Sequence, residues 1–271
     1  MTDNRSSRTS VQPQRRGGSH VSMNTCYPAL LGFREVSGQR SSFGGQVRSG
    51  VLYRSGTPQF LDYATALRLL RDTSITATVD LRLQHEVEQE GRGPLDELGV
   101  GHLTHAIQVG ALVSANSAVA PMTGDDPVVA TYLRYLDEGP EAVAGAIADI
   151  VQLGGAPVLV HCTVGKDRTG VIIAMALAAV GVDHDEIATE YGLLANQVEE
   201  SMQRLRGMKS YGDAVDLYPP ETFAVEPGSI IRFLDAVDHR HGGTREFLLS
   251  HGFTHQMLEE LEESLLDRTV I

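Results

Sequence analysis

A ten-residue segment of the chain combines a cysteine, glycines and an arginine at a spacing suited to binding and attacking an anion. Residues 161–170 read HCTVGKDRTG, which places Cys162, Gly165 and Arg168 in one short loop. An apolar run, predicted to be a buried strand, precedes the loop, and an apolar helix is predicted to follow it. In this order, backbone N–H groups and the positive end of the helix converge on one point. The segment therefore predicts an anion site at a strand-loop-helix junction.

Each polar residue of the loop has a chemical use at such a site. Cys162 is the expected nucleophile, because a helix N-terminus and nearby cations favour the reactive thiolate. Arg168 can hold two phosphoryl oxygens in its planar fork, which lysine cannot match. Gly165 lets the backbone approach the phosphate, and Thr169 is expected to donate its hydroxyl to the sulfur. The predicted phosphate-binding residues are Thr163, Val164, Gly165, Lys166, Asp167 and Arg168.

The expected reaction is in-line attack of Cys162 on phosphorus, followed by hydrolysis of the phosphocysteine, with no metal or cofactor. Positioning and electrostatics supply most of the catalysis in phosphoryl transfer. The ATP-binding Gly-Lys-Thr loop is rejected, because here Asp167 and Arg168 follow the lysine. Two alternatives stay open at a lower rank: a catalytically inactive phosphate-binding module, and sulfur transfer of the rhodanese type, which has no use for Thr169.

A leaving alkoxide or phenolate needs a proton donor, and several aspartates are candidates. Asp167 ranks first because it lies inside the loop. Asp80 ranks second, at the predicted end of a strand, and Asp125 and Asp126 rank third, in a segment expected to be a mobile loop. His161 is expected to orient the loop and the thiolate through its ring nitrogens. Two arginines, at positions 54 and 82, are expected to form ion pairs rather than to line the pocket.

Hydrophobic patterning predicts the elements that position this loop. Strands are predicted at residues 47–54 (interrupted by a Ser-Gly turn), 75–81, 101–108 and 156–161, and helices at 60–71, 128–137, 140–153, 171–180, 184–205, 227–239, 244–250 and 254–266. A long mobile loop is expected at 111–127. Strands alternating with helices indicate an α/β fold: a central, mostly parallel sheet flanked by helices, in a single domain. The reactive loop then lies at the carboxyl end of a central strand.

Composition limits the classes of partner. The chain has 271 residues, 42% of them hydrophobic and 21% charged, which is ordinary for a globular protein. Its net charge of −13 disfavours nucleic acid or an anionic membrane as partner, so an anionic substrate needs a local positive site. Cys26 and Cys162 are expected to be reduced thiols. We expect residues 1–25 to be a disordered leader before a domain at 26–271, and the protein to be cytoplasmic or secreted by a signal-independent route, without stable membrane insertion.

The loop resembles the signature loop of protein tyrosine phosphatases, and other segments narrow the resemblance. The sequences GFREV (32–36), LYRS (52–55), VDLR (79–82) and HCTVGKDRTG occur in the order seen in the mycobacterial protein tyrosine phosphatase B group, although Gly32 and Glu35 stand where that group usually has Asn and Asp. The resemblance extends from about Ala29 to the C-terminus. It implies a phosphatase fold and activity on phosphotyrosine, phosphoserine or phosphothreonine, or phosphoinositides. It also supports Asp167 as the acid. Two interpretations of Lys166 stay open: a solvated side chain, or recognition of a second phosphate, as in lipid phosphatases that carry Lys at this loop position and act on inositol rings.

Overall fold

The predicted strand-loop-helix junction lies at the centre of a five-stranded sheet in the computed structural model, which describes residues 26–108, 126–217 and 223–269. The strands are β1 (Arg34–Glu35), β2 (Gln46–Val47), β3 (Leu52–Ser55), β4 (Ala77–Asp80), β5 (Gly101–Thr104), β6 (Val158–His161) and β7 (Leu266–Asp267). The sheet has the order β1-β3-β6-β4-β5, and β2 pairs with β7 in a separate ribbon. β6 is therefore the middle strand of the main sheet.

The helices flank this sheet. They are α1 (Tyr63–Thr73), α2 (Gln84–Glu90), α3 (Pro127–Glu138), α4 (Pro140–Gln152), α5 (Asp167–Ala179), α6 (His184–Gly192), α7 (Val198–Arg206), α8 (Pro227–His241), α9 (Thr244–Ser250) and α10 (His255–Leu265). Short 3-10 turns at Pro58–Phe60, Ala195–Gln197 and Gly212–Leu217 connect some of them. The mostly parallel α/β fold predicted from the sequence is confirmed, and it forms a single domain.

Strand register brings three polar residues together at one edge of the sheet. β3, β6, β4 and β5 run parallel, while β1 is antiparallel to β3. Ser55 and Asp80 lie on either side of His161, the last residue of β6. Because ligands in such sheets bind beyond the carboxyl ends of the strands, this edge is where a site is expected.

The two faces of the sheet pack against separate apolar clusters, which explains why β6 is buried along its whole length. On one face Val158 and Val160 pack with the largely apolar helix α5; on the other, Leu159 packs with residues of α1. A strand covered on both faces reads as a continuous apolar run. The same burial holds α5 rigidly behind the loop.

Several element boundaries differ from the sequence-based predictions. The predicted strand 47–54 is divided, since Val47 belongs to the β2-β7 ribbon and only residues from Leu52 onward enter the main sheet. The predicted helix 184–205 breaks after Gly192, where a Cβ would lie 2.9 Å from Cγ of Pro227. The helix predicted from Val171 begins four residues earlier, at Asp167. α2 and the strand β1 were not predicted.

Two predictions lie outside the described residues: the leader at 1–25 and nearly all of the loop at 111–127. Within the ranges that the structure describes, none of the helices combines the length and the apolar character needed to cross a membrane.

Candidate active site

The candidate site is the loop between β6 and α5. Cys162 directly follows the buried strand and is itself only 2% exposed. Four residues separate it from Asp167, the first residue of α5, so that Arg168 and Thr169 belong to the first turn of the helix. The predicted order of strand, loop and helix is thus present, and the thiol lies close to the positive end of a helix.

Gly165 allows the loop to close against the neighbouring strand. Its φ is +74°, a conformation that L side chains rarely adopt, and an added Cβ would lie 2.4 Å from the carbonyl carbon of Ser55 and 2.5 Å from the nitrogen of Gly56. The backbone N–H of Thr57 donates to the carbonyl of Thr163 at 3.0 Å. The turn after β3 therefore packs against the loop and supports it.

A buried charge cluster fixes the same part of the loop. Arg54 is fully buried and donates to the carbonyl of Gly165 at 2.8 Å. Its other terminal nitrogen binds Glu190 at 2.7 Å, and Glu190 also accepts from Nε of Arg34 at 2.7 Å. The expectation that Arg54 forms an ion pair is met by this contact. Both guanidinium groups share the carboxylate of Glu190, and this anchors Arg54 where it can hold the carbonyl of Gly165 in place.

Arg168 is oriented by Glu86, a residue that the sequence analysis did not identify. Nη1 of Arg168 lies 2.6 Å from Oε2 of Glu86, and Nη2 lies 3.0 Å from Oε1. Glu86 is fully buried in the first turn of α2 and also accepts from the backbone N–H of Leu83 at 2.7 Å. Burial alone would raise the pKa of Glu86, but Arg168 and the donated hydrogen bonds outweigh it and lower that pKa to about 2.

Two hydroxyl groups complete this network. Tyr211 donates to Oε1 of Glu86 at 2.7 Å, and Thr163 donates to the same oxygen. Nη2 of Arg168 lies 3.1 Å from the Thr163 hydroxyl and 3.2 Å from that of Tyr211. In contrast, Nε of Arg168 has no hydrogen-bond partner among the described residues. Nε is thus the guanidinium group that can bind an incoming oxyanion without first giving up a contact, since Glu86, Thr163 and Tyr211 already engage Nη2.

Asp167 is held at the N-terminus of α5 by a side chain from another helix. Its Oδ1 accepts a hydrogen bond of 2.8 Å from the hydroxyl of Tyr132 in α3, which in turn lies 2.7 Å from the hydroxyl of Tyr191 in α6. Nζ of Lys166 lies 3.3 Å from the same carboxylate oxygen. The Asp167 side chain is 34% exposed, so it can reach a bound substrate as well as the protein interior.

Asp80 has a different environment, which argues against the predicted role as proton donor. It is fully buried, and Nε and Nη2 of Arg82 bind its two oxygens at 3.0 and 2.7 Å. Burial would raise the pKa of Asp80, yet the nearby His161 and the Arg82 ion pair together lower it well below its usual range. A carboxylate held in this way keeps its charge and gives up no proton near neutrality. Asp80 instead serves as the partner in the ion pair that was predicted for Arg82.

Asp126, the third-ranked acid, caps a helix. Its Oδ1 accepts from the backbone N–H groups of Val128 and Val129 at 2.9 and 3.2 Å, and its Oδ2 accepts from Nε of Arg232 at 2.9 Å. Burial raises the pKa of Asp126, but the Arg232 and backbone hydrogen bonds lower it overall. Both oxygens are thus engaged at the start of α3. Asp125 lies outside the described residues.

His161 and Thr169, at the two ends of the loop, are both buried, whereas Val164 is partly buried and packs against the cluster of Leu205, Met208 and Val215. Nδ1 of His161 lies 3.3 Å from the carbonyl of Cys162, and burial lowers the pKa of this ring to about 4, so the ring is neutral near pH 7. Thr169 is fully buried, and its hydroxyl has no hydrogen-bond partner in the part of the chain that the structure describes. The predicted bond from Thr169 to the Cys162 sulfur is therefore not formed here, and its role in the leaving step stays a prediction.

Comparison with known proteins identifies the family. A model of the "Tyrosine phosphatase family" matches residues 27–267. The chain belongs to the tyrosine phosphatase family. This membership confirms the resemblance of the loop and of the other quoted segments, and the match extends over nearly all of the residues that the structure describes.

Individual relatives match a smaller part of the chain than the family model does. A putative tyrosine-protein phosphatase of Cupriavidus necator is 31% identical over 180 residues, which are 63% of this chain and 62% of the relative. The triple specificity protein phosphatase PtpB of Mycobacterium tuberculosis is 29% identical over 213 residues, 67% of this chain and 72% of that protein. The chain thus spans less than two thirds of the Cupriavidus relative. Among solved structures, the catalytic domain of the Saccharomyces cerevisiae PP-IP phosphatase SIW14 aligns with a TM-score of 0.36 at 16% identity, over 69% of this chain and 85% of that one.

Proposed function

We propose that this member of the tyrosine phosphatase family hydrolyses phosphomonoesters, with Cys162 as the nucleophile. The observation that carries the proposal is the fixed relation between Cys162 and Arg168. The cysteine ends a buried strand, and Glu86 holds the guanidinium in the first turn of the following helix through two contacts, of 2.6 and 3.0 Å. An anion bound in the loop is then aligned before chemistry begins.

In the first step, the Cys162 thiolate attacks phosphorus, an S–P bond forms and the P–O bond to the leaving group breaks. Asp167 gives its proton to the leaving oxygen. Nε of Arg168 and the loop amides stabilise the charge on the non-bridging oxygens of the transition state.

In the second step, water attacks the phosphorus of the phosphocysteine. The Asp167 carboxylate, now deprotonated, takes the proton of this water as a general base. The S–P bond breaks, inorganic phosphate leaves, and the electron pair returns to the Cys162 thiolate. The enzyme thus recovers its starting protonation state.

Asp167 is the acid of choice because of its contacts. Of the described candidates it alone combines a place in the loop with a partly exposed carboxylate, whereas both oxygens of Asp80 and of Asp126 are engaged by arginines or by backbone N–H groups. A general acid must reach the leaving oxygen within hydrogen-bond distance, and a residue inside the loop satisfies this by its position.

For the substrate we propose phosphorylated protein or phosphoinositide. Lys166 places a second cation in the loop beside Arg168, on a chain whose net charge is −13. Such local positive charge can bind a doubly phosphorylated ring more tightly than a phosphotyrosine. A Lys166→Ala variant is expected to lose more kcat/KM on an inositol polyphosphate lipid than on a phosphotyrosine peptide. The location, cytoplasmic or secreted by a signal-independent route, stays a prediction.

The decisive experiment measures phosphate release by wild type and by Cys162→Ser on a phosphotyrosine peptide. We expect turnover by wild type and none by the serine variant, while both bind the peptide in a pull-down or by calorimetry. Binding by both proteins without any turnover by wild type would instead indicate an inactive phosphate-binding module. Turnover by the serine variant at the wild-type rate would contradict the proposed nucleophile.

A further inference from the structure

A chain of two buried tyrosines ends on the carboxylate of Asp167. Tyr132 and Tyr191 are 0% and 1% exposed, and their hydroxyl oxygens lie 2.7 Å apart. The Tyr132 hydroxyl lies 2.8 Å from Oδ1 of Asp167. Because the carboxylate only accepts, Tyr132 must give its single proton to Asp167. Tyr191 must then donate to Tyr132, so all the hydrogen bonds point in one direction.

The surrounding packing fixes this chain in place. The ring of Tyr132 packs edge-on against Phe233 with centroids 5.8 Å apart. The ring of Tyr191 lies against Gly170, where an added Cβ would be 2.9 Å from the ring. The glycine that closes the HCTVGKDRTG segment therefore makes room for the outer tyrosine. Burial first, and Asp167 second, raise the pKa of both tyrosines well above the usual range, so they remain proton donors at any pH of interest.

We propose that Tyr132 and Tyr191 are positioning residues for the general acid: Tyr132, held by Tyr191, engages Oδ1 of Asp167 and leaves Oδ2 to carry the proton to the leaving group. This inference rests on the proposed function of Asp167. Oδ1 receives the Tyr132 hydrogen bond and lies 3.3 Å from Nζ of Lys166. Oδ2 has no hydrogen-bond partner among the described residues.

A donated hydrogen bond favours the ionised carboxylate, and its removal therefore favours the protonated acid. Other titratable or charged groups near this network are the same in both variants and in wild type. Lys166 and Tyr135 lie near Asp167, Arg168 and Cys162 lie near Tyr135, and Arg54 and Asp126 lie near Tyr191.

The test compares Tyr132→Phe and Tyr191→Phe with wild type on two substrates. Phenyl phosphate has a poor leaving group that needs the acid, and 4-nitrophenyl phosphate has a good one that needs it little. For Tyr132→Phe we expect the basic limb of the kcat/KM profile to move up by about half to one pH unit. We also expect a several-fold larger loss of kcat on phenyl phosphate than on 4-nitrophenyl phosphate. Tyr191→Phe should shift the limb in the same direction by less.

A matched control removes another tyrosine-aspartate hydrogen bond. The Tyr27 hydroxyl donates to Asp72 at 2.7 Å, in the cluster on the other face of the sheet. Tyr27→Phe is expected to lower stability by a similar amount but to leave the pH profile and the substrate ratio unchanged. In an Asp167→Asn background, Tyr132→Phe should add nothing to the preference for the good leaving group.

Three results would overturn the inference. In the first, Tyr132→Phe keeps the wild-type pH profile of kcat/KM and loses kcat equally on both substrates, while Asp167→Asn does show the preference for a good leaving group. In the second, Asp167→Asn shows no such preference, which would mean that Asp167 is not the general acid. The third is a shift in Tyr27→Phe as large as in Tyr132→Phe. Should Tyr132→Phe not fold, Tyr191→Phe decides in the same way. None of these results depends on the Cys162→Ser assay, so failure of the nucleophile is recognised separately.

Discussion

The pair of Glu86 and Arg168 gives the sharpest stability prediction, through the substitution Glu86→Gln. Glutamine is nearly the same size but neutral, and whichever way its amide turns, its NH2 group faces a donor. In one orientation it meets Nη1 of Arg168 and the N–H of Leu83; in the other it meets Nη2 and the hydroxyl of Tyr211. The substitution therefore leaves a buried guanidinium without its counter-charge.

The expected cost follows from that burial. Glu86 is 0% exposed and Arg168 only 6%, so solvent cannot replace the lost partner. Removing one member of a buried pair costs about 3–5 kcal/mol, a large part of the ~5–15 kcal/mol by which domains are stable. This corresponds to a fall in Tm of roughly 5–9 °C for a chain of 271 residues. At 25 °C the folded variant should also lose about 10- to 100-fold in kcat/KM, because Arg168 is no longer aligned.

Thermal denaturation followed by circular dichroism and a phosphate-release assay measure both effects. The matched control is Glu88→Gln, on the same helix but exposed, with one hydrogen bond from Gln84. It should change stability by no more than about 0.5 kcal/mol. If both glutamine variants have the Tm and the kcat/KM of wild type, then Glu86 neither stabilises the fold nor orients Arg168.

The remaining predictions concern backbone, pH and redox chemistry. Gly165→Ala should lower the free energy of unfolding by at least ~2 kcal/mol and abolish activity, because its Cβ would lie 2.4 Å from the backbone of Ser55. The control Gly38→Ala, at φ +89° with nothing within 4 Å of the added Cβ, should keep activity. An active Gly165→Ala would refute the close packing of the loop. Because the pKa of Glu86 falls from 4.5 to about 2 on folding, the stability it contributes is complete above pH 4.5 and is lost as pH falls toward 2. Urea titrations should show a decrease of about 3 kcal/mol over that range, and an equal decrease in Glu86→Gln would contradict it. Peroxide should inactivate the enzyme reversibly through Cys162, also in a Cys26→Ser variant, and EDTA should have no effect; loss of activity on chelation would refute the metal-free mechanism.

The local part of the site could be predicted from sequence because it is encoded in consecutive residues. Each sequence feature predicts structure that depends only on nearby residues: the apolar run before Cys162, the glycine at 165 and the apolar helix that contains Arg168 in its first turn. The structure adds the close backbone contact that Gly165 requires and the burial of β6 on both faces. Local pattern was sufficient for these features.

The partners of the loop could not be predicted in the same way. Glu86 lies in the short polar helix α2, whose sequence QHEVEQE has no clear hydrophobic period and was assigned no structure. Tyr132 and Tyr191 have positions typical of core aromatics, and only the tertiary fold shows that their hydroxyls meet near Asp167. A pairing between residues 82 positions apart, such as Glu86 with Arg168, leaves no mark in a single sequence.

The structure argues against the second-ranked acid, Asp80, for a physical reason. Asp80 ranked second because it stands at the predicted end of a strand, two residues before Arg82. The fold instead buries Asp80 between His102, His161 and Arg82, and the arginine engages both carboxylate oxygens. Whether an aspartate at a strand end faces a pocket or an ion pair depends on the neighbouring strands, which single-sequence patterns do not specify.

The most direct test of the account is to trap the intermediate. Rapid acid quench of wild type during turnover of a phosphotyrosine peptide, followed by proteolysis and mass spectrometry, locates any phosphoryl group on the protein. We predict phosphorus bonded to the sulfur of Cys162. With 4-nitrophenyl phosphate, whose good leaving group needs little help from the acid, the amount should rise in Asp167→Asn, because that substitution slows the attack of water. Steady turnover with no phosphoryl group on that sulfur in either protein would contradict the mechanism.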